Sequence, residues 1–161
     1  MINEDALKVK FRAINKTWLA LLASILSYAV VGWYVGTIER SLFAHLLENV
    51  QLLGYIVSAS ILFGSLFFRK KLLFSRIDAA RRLKGGNALQ AEEVVSLYTG
   101  FVIISSAVSE VSAIFGLALC FMGIDKEIFL LFIIASAMAM VLNRPRMEEL
   151  QHAVEYAGEM S

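Results

Sequence analysis

This chain of 161 residues has one cysteine, one proline and two histidines, and only 18% of its residues are charged. A lone Cys120 excludes a disulfide scaffold. So few histidines and cysteines leave no cluster with the donor set of a metal centre. The pairs His45/Glu48 and Glu149/His152, each three residues apart, read as polar side chains facing solvent. There is no phosphate-cradling G-x-x-x-x-G-K motif and no Ser-His-Asp set, so nothing marks a nucleophile–base pair. A formal net charge of +1 gives no reason to invoke nucleic acid. No catalytic residue, metal or cofactor is expected.

What the chain has in abundance is apolar side chain: 58% of its residues are hydrophobic, against about 45–50% in ordinary soluble domains. Mean hydropathy is +0.68. The excess falls in four blocks, at 18–38, 50–68, 97–122 and 128–142. A helix needs about 20 residues at 1.5 Å each to cross roughly 30 Å of hydrocarbon. Unbroken runs without period-2 alternation are helices rather than barrel strands. The expected fold is therefore all-α: one domain over 1–161, an integral membrane four-helix bundle. The fourth block is short and needs flanking turns to complete a crossing.

Lysine and arginine set the orientation. Four basic residues precede the first block, seven join the second to the third (Arg69, Lys70, Lys71, Arg76, Arg81, Arg82 and Lys84), and Arg144 and Arg146 follow the fourth. Those positions hold thirteen of the fifteen basic residues; only Arg40 and Lys126 fall on the other side. Both termini and the central connection are expected in the cytoplasm, with the chain multi-pass in the inner membrane. The first block is too long for a cleaved signal and is expected to stay as an anchor.

The helices should continue past the bilayer. Leu73, Ile77 and Ala80 recur at helical spacing after Phe68, and Ala91, Val94, Val95 and Tyr98 share one face before the third span. Together they predict a basic cytoplasmic helical hairpin over 69–96, with Gly85-Gly86 at its tip and Asn87 with Gln90 as a capping pair for a helix from Ala88. Asn3-Glu4-Asp5 should cap a first helix carrying Leu7, Phe11, Ile14 and Trp18 on one face. Pro145 should open a final helix whose acids face the basic arm. These extensions are expected to meet lipid headgroups, and they offer a platform for a cytoplasmic or membrane protein partner.

One residue inside a span is costly. Glu110 interrupts the third block, at about 3 kcal/mol on insertion scales. The twelve Leu, Ile, Val and Phe residues around it return roughly 0.3–0.6 kcal/mol each. No Lys, Arg or His lies in any span as drawn, so Glu110 must be satisfied by hydroxyl chemistry and is expected to keep its proton. Ser106 lies one turn before it, with Ser105, Ser109, Ser112 and Gly116 as a small-residue stripe alongside. Gly32-x-x-x-Gly36 and Ser60-x-x-x-Gly64 are further small-residue motifs that let helices approach closely, and a homo-oligomer is expected to use such faces. Glu110 has three readings: a protonated acid fixing helix register in a structural or accessory subunit, a proton or cation carrier, or a lipid or quinone contact.

Around Glu110 the run Glu110-Val111-Ser112-Ala113-Ile114-Phe115-Gly116-Leu117 resembles the ion-binding outer helix of the proteolipid ring subunit of rotary ATP synthases. There a membrane acid precedes small residues and then Ile-Tyr/Phe-Gly-Leu. The resemblance implies that Glu110 would carry H+ or Na+, with Ser106 and Ser109 as hydroxyl neighbours. More loosely, the chain resembles small, uncharacterised four-span bacterial membrane proteins with a mid-membrane acid and a Pro-Arg exit.

Overall fold

A computed structural model describes residues 4–35, 44–67, 69–85 and 89–159. The chain is all-helical: among the described residues there are six helices and no strand. They are α1 (Glu4–Val35), α2 (Ala44–Phe67), α3 (Arg69–Leu83), α4 (Ala91–Phe121), α5 (Lys126–Leu142) and α6 (Met147–Glu159). α4 and α5 form the central pair, and α1 and α2 each pack against both. Because α1 and α2 share those neighbours without packing substantially on each other, they lie on opposite sides of the α4–α5 pair.

Two helices, α1 over Asp5–Tyr34 and α4 over Ala91–Phe121, are each long and apolar enough to cross a bilayer. Two further stretches qualify only as bent pairs: Val50–Ser65 with α3, at 67°, and α5 with α6, at 49°. By length and composition, the candidate crossings thus number two, or up to four. The sequence suggests that α3 continues the second apolar block, and the structure sets it at 67° to that block.

Local chemistry explains most of the helix ends. α4 stops at Gly123, whose φ of 91° closes the turn. Its N–H bonds Cys120 O at 3.1 Å and the Ile124 N–H reaches back to Leu119 O at 3.1 Å, the double closure that only a left-handed residue allows. α5 ends before Pro145, which disfavours helix at Arg144 and brings no N–H of its own; α6 starts two residues later, at Met147. At the other end, α4 begins at Ala91; Ala88, where the sequence starts it, lies outside the described residues. Gln90 is its N-cap, and the Gln90 N–H donates to Glu93 Oε2 at 3.0 Å. Asn3, Gly36, Gly86 and Asn87 lie outside the described residues.

The interior has two apolar cores. One, at the basic end, gathers Leu7 and Ile14 of α1, Leu73 and Ile77 of α3, Val94 and Tyr98 of α4, and Leu150 of α6. The other gathers Ile25 of α1, Leu119 and Cys120 of α4, and Phe129, Phe132 and Met140 of α5. Between them runs a polar layer: Ser106, Ser109, Ser112, Ser136 and Asn143 are all buried. The outside of this second half is the reverse. Leu26, Ile56 and Phe63 are 65%, 56% and 64% exposed, and α4 and α5 present Ile114 and Ile134.

Candidate functional site

Glu110 points towards α1. Its carboxyl meets the Ser24 hydroxyl, which also donates to the Leu21 carbonyl at 2.6 Å. Both side chains are half-buried. Helical geometry separates Glu110 from its neighbours: Ser109, one residue earlier, is turned about 100° away. Ser109 Oγ donates to the Ser105 carbonyl at 2.9 Å and accepts from Asn143 Nδ2 at 2.9 Å. Ser106 sits one turn before Glu110 and is fully buried, yet its Oγ has no hydrogen-bond partner among the described residues. The three residues suggested as an ion site therefore lie on one helix without a hydrogen bond joining them, and the carboxyl's partner comes from α1.

The stripe beside Glu110 is the centre of a hydrogen-bonded seam. Ser58 of α2 and Ser112 of α4 share a hydrogen at 2.6 Å, and Ser112 also donates to the Phe132 carbonyl of α5 at 3.3 Å. Ser136 Oγ donates to the Ser109 carbonyl at 2.7 Å. The Asn143 amide, at the C-cap of α5, divides its two hydrogens between Ser65 and Ser109, each at 2.9 Å. These bonds tie α2, α4 and α5 together through hydroxyls and one amide, with no charge. Small residues permit the approach. A Cβ on Gly116 would lie 2.5 Å from Phe132 Cβ. One on Gly32 would overlap the Phe129 ring, and Gly54 faces Phe115 and Phe132 in the same way. Cys120 Sγ lies 3.2 Å from the Gly32 carbonyl. By contrast, a Cβ on Gly64 would meet nothing within 4 Å, and Ser60 is exposed, so that motif packs on no neighbour within the chain.

At the basic end the seven cations divide by role. Lys70, Lys71, Arg76 and Arg82 are exposed. Lys84 pairs with Glu93 across the hairpin tip, holding the Glu93 carboxyl below its ordinary value with help from the Gln90 amide. Arg69 is different: it is buried, at 8% exposure. Its guanidinium donates to the Leu142 carbonyl at 2.5 Å, the Arg144 carbonyl at 2.8 Å and Glu149 Oε2 at 2.6 Å. The Tyr98 hydroxyl lies 3.1 Å from both Glu149 Oε2 and the Arg146 carbonyl, and accepts the Arg146 N–H at 2.9 Å. Arg69 thus clamps the α5–α6 bend to the start of α3, and Tyr98 joins α4 to the same knot. α6 packs on α3 through Phe74, whose ring meets Tyr156 at 5.0 Å and His152 at 5.5 Å.

The roles of Arg69, Asn143 and Gly54 are not evident from composition. Arg69 carried a readable signal, since it sits four residues before Leu73 and eight before Ile77, on the face that they bury. Asn143 carried a weaker one, as the first polar residue after a long apolar run. No protein-family model, no curated protein and no solved structure matches this chain.

Proposed function

We propose that this chain is a non-enzymatic integral membrane protein whose helices α1, α2, α4 and α5 span the bilayer as a four-helix bundle. In this reading the basic end, with both termini, lies in the cytoplasm, and the chain serves as a structural or accessory subunit that assembles with copies of itself. The observation that carries it is the inverted distribution in the half away from the basic end. Serine hydroxyls and the Asn143 amide are buried at 0–6% exposure while Leu26, Phe63 and Ile134 face outward. Water would reverse that preference; hydrocarbon rewards it.

Within the bundle, Glu110 holds α1 against α4 as a neutral acid, and proton bookkeeping supports this. A serine hydroxyl has one hydrogen, and the Leu21 carbonyl 2.6 Å away can only accept it. With the Ser24 hydrogen turned to Leu21, a carboxyl that keeps its own proton supplies the hydrogen for the Ser24–Glu110 contact. A second reading, a proton or cation carrier at Glu110, draws on the unpartnered Ser106 hydroxyl one turn away and on the resemblance to proteolipid subunits.

Two experiments test these readings. Single cysteines in place of Ala79 and Met122, in a Cys120→Ser background, are expected to react with an impermeant maleimide from opposite faces of sealed vesicles. Labelling from one face, or release of the protein by alkaline carbonate, refutes the spanning bundle. Dicyclohexylcarbodiimide labelling of Glu110 is expected to be indifferent to Na+; labelling that Na+ slows would favour the carrier.

A further inference from the structure

A groove of about 620 Å³ runs along the outside of α2 and α4 and ends beneath α3. Its walls are Val57, Ile61 and Gly64 of α2 and Phe101, Ile104 and Val108 of α4. At the α3 end, Arg69, Leu72 and Arg76 line it. From this arrangement we infer that the groove seats one acyl chain of an anionic phospholipid, with the lipid phosphate held by the α3 arginines.

Four observations favour that occupant. The volume falls in the range of about 300–1,000 Å³ typical of small-molecule sites. The wall runs from Ile56 to Ser65 along α2, which is about 14 Å at helical rise and close to half of a hydrocarbon slab of about 30 Å. The groove is therefore one leaflet deep, with its charged end at headgroup level. Charge complements the phosphate: Arg76 is exposed and makes no ion pair among the described residues, and Lys70 and Lys71 stand exposed on the same arm. Arg69 supplies the last point. It is more than nine-tenths buried and its Nε has no hydrogen-bond partner, so a phosphate oxygen reaching it from the groove would satisfy a donor that the protein leaves unpaired. Small residues keep the slot open, since nothing stands within 4 Å of a Cβ at Gly64.

The groove lies on the α2 side of α4, whereas Glu110 faces α1, so this site is separate from the Glu110 contact. It does rest on the spanning bundle proposed above. The test is native mass spectrometry of detergent-solubilised protein given phosphatidylglycerol, or phosphatidylcholine of identical chains, or inorganic phosphate. Insertion into nanodiscs is scored in parallel. One phosphatidylglycerol per chain is expected to be retained about tenfold more strongly than phosphatidylcholine, the order of one charge-assisted hydrogen bond. Inorganic phosphate is expected not to be retained. Arg76→Ala, at an exposed position, should remove that preference, and Gly64→Leu should fill the slot and lower retention of both lipids. Equal retention of the two lipids, retention of phosphate alone, or unchanged binding in either variant overturns the proposal. So does a Gly64→Leu chain that keeps its lipid but loses self-association, because a second copy then occupies the groove. Failure to enter nanodiscs at all would instead refute the spanning bundle.

Discussion

The two halves of the molecule are held together by different chemistry. The basic end combines an apolar core with a buried ion pair, Arg69–Glu149 at 2.6 Å, and rim pairs such as Lys10–Glu92 at 2.9 Å. In the other half the helices meet through glycine contacts, stacked rings such as Tyr55 on Phe132, and hydroxyls bonded to hydroxyls or carbonyls. The difference is the one that the proposed spanning bundle, with its two solvents, would produce. Where water surrounds the helices, burying leucines drives them together and long charged side chains decorate the rim. Where lipid surrounds them, a leucine gains nothing by leaving one apolar medium for another, so close packing and hydrogen bonds must do the work.

The largest break in this comparison is expected at Arg69. Arg69→Ala removes the counter-charge of Glu149 and three hydrogen bonds to α5–α6, an effect of about 3–5 kcal/mol for a broken buried pair. The expected result is loss of amide protection through α6 and the α5–α6 bend while α1 and α4 beyond Glu110 stay protected. The double replacement Arg69→Met with Glu149→Leu should restore most of the loss, since neither charge is then stranded. Lys10→Ala, which breaks the exposed pair with Glu92, should cost no more than about 1 kcal/mol. Equal protection losses in Arg69→Ala and Lys10→Ala would show that the buried pair is no more than a rim contact.

In the other half the expected sensitivity lies at glycine. Gly116→Ala forces a Cβ to within 2.5 Å of Phe132 Cβ, and an atom that close to the backbone cannot swing away. Overpacking of this kind costs about 1–3 kcal/mol. Gly64→Ala should be neutral or stabilising by up to about 1 kcal/mol, because alanine favours helix and meets open space. Thermal unfolding in detergent measures both, and the sign difference between two glycine-to-alanine changes is the informative result.

Glu110 is expected to matter less. Ser24→Ala removes the partner of the carboxyl, and hydrogen bonds between membrane helices average about 0.6 kcal/mol with a maximum near 1.7. Glu110→Gln keeps a donor towards Ser24 and should unfold within a few tenths of a kcal/mol of the parent chain, the spread of a conservative surface change. A Glu110→Gln variant that unfolds as early as Ser24→Ala would show that a neutral donor is not what α1 requires.

How much of this was legible beforehand depends on the range of the interaction. The apolar blocks and the buried faces Leu73/Ile77 and Val94/Tyr98 follow from local periodicity, and the structure buries those residues. The α5–α6 bend has a local cause in Pro145. The α2–α3 bend has none: no glycine or proline marks the Phe67–Arg69 junction. Arg69 reads as solvated because of its charge, although its spacing to Leu73 puts it on the covered face. The partner of Glu110 is 86 residues away, and several serines on facing helices were equivalent by composition. Choosing Ser24 among them takes the rotation of α1 about its axis, which no local pattern encodes. The same limit applies to Ser109, whose side chain turns towards Asn143 on α5 rather than towards the acid beside it.

The smallest expected effect is a pH dependence at the hairpin tip. Lys84 bonds the Glu93 carboxylate, the Gln90 N–H adds a second hydrogen bond, and together they lower the carboxyl's pKa from its ordinary 4.5. A group whose folded value is depressed stabilises the fold above its unfolded value, and that contribution fades as pH falls through the lowered folded value. The α4 cap should therefore be intact at neutral pH and begin to loosen only below about pH 4.5, the ordinary value. Titration of the Glu93 carboxyl carbon by NMR should give a midpoint under 4.5 in the parent chain and a higher one in Lys84→Met, which loses the strongest of the lowering contacts. Because Glu93 is partly open to water, the consequence for global stability should be slight and confined to the first turn of α4. If Lys84→Met left the midpoint where it was, the Gln90 amide alone would be holding the carboxylate, and the rim pairs of the basic end would be ornaments of a fold set by its two buried cores.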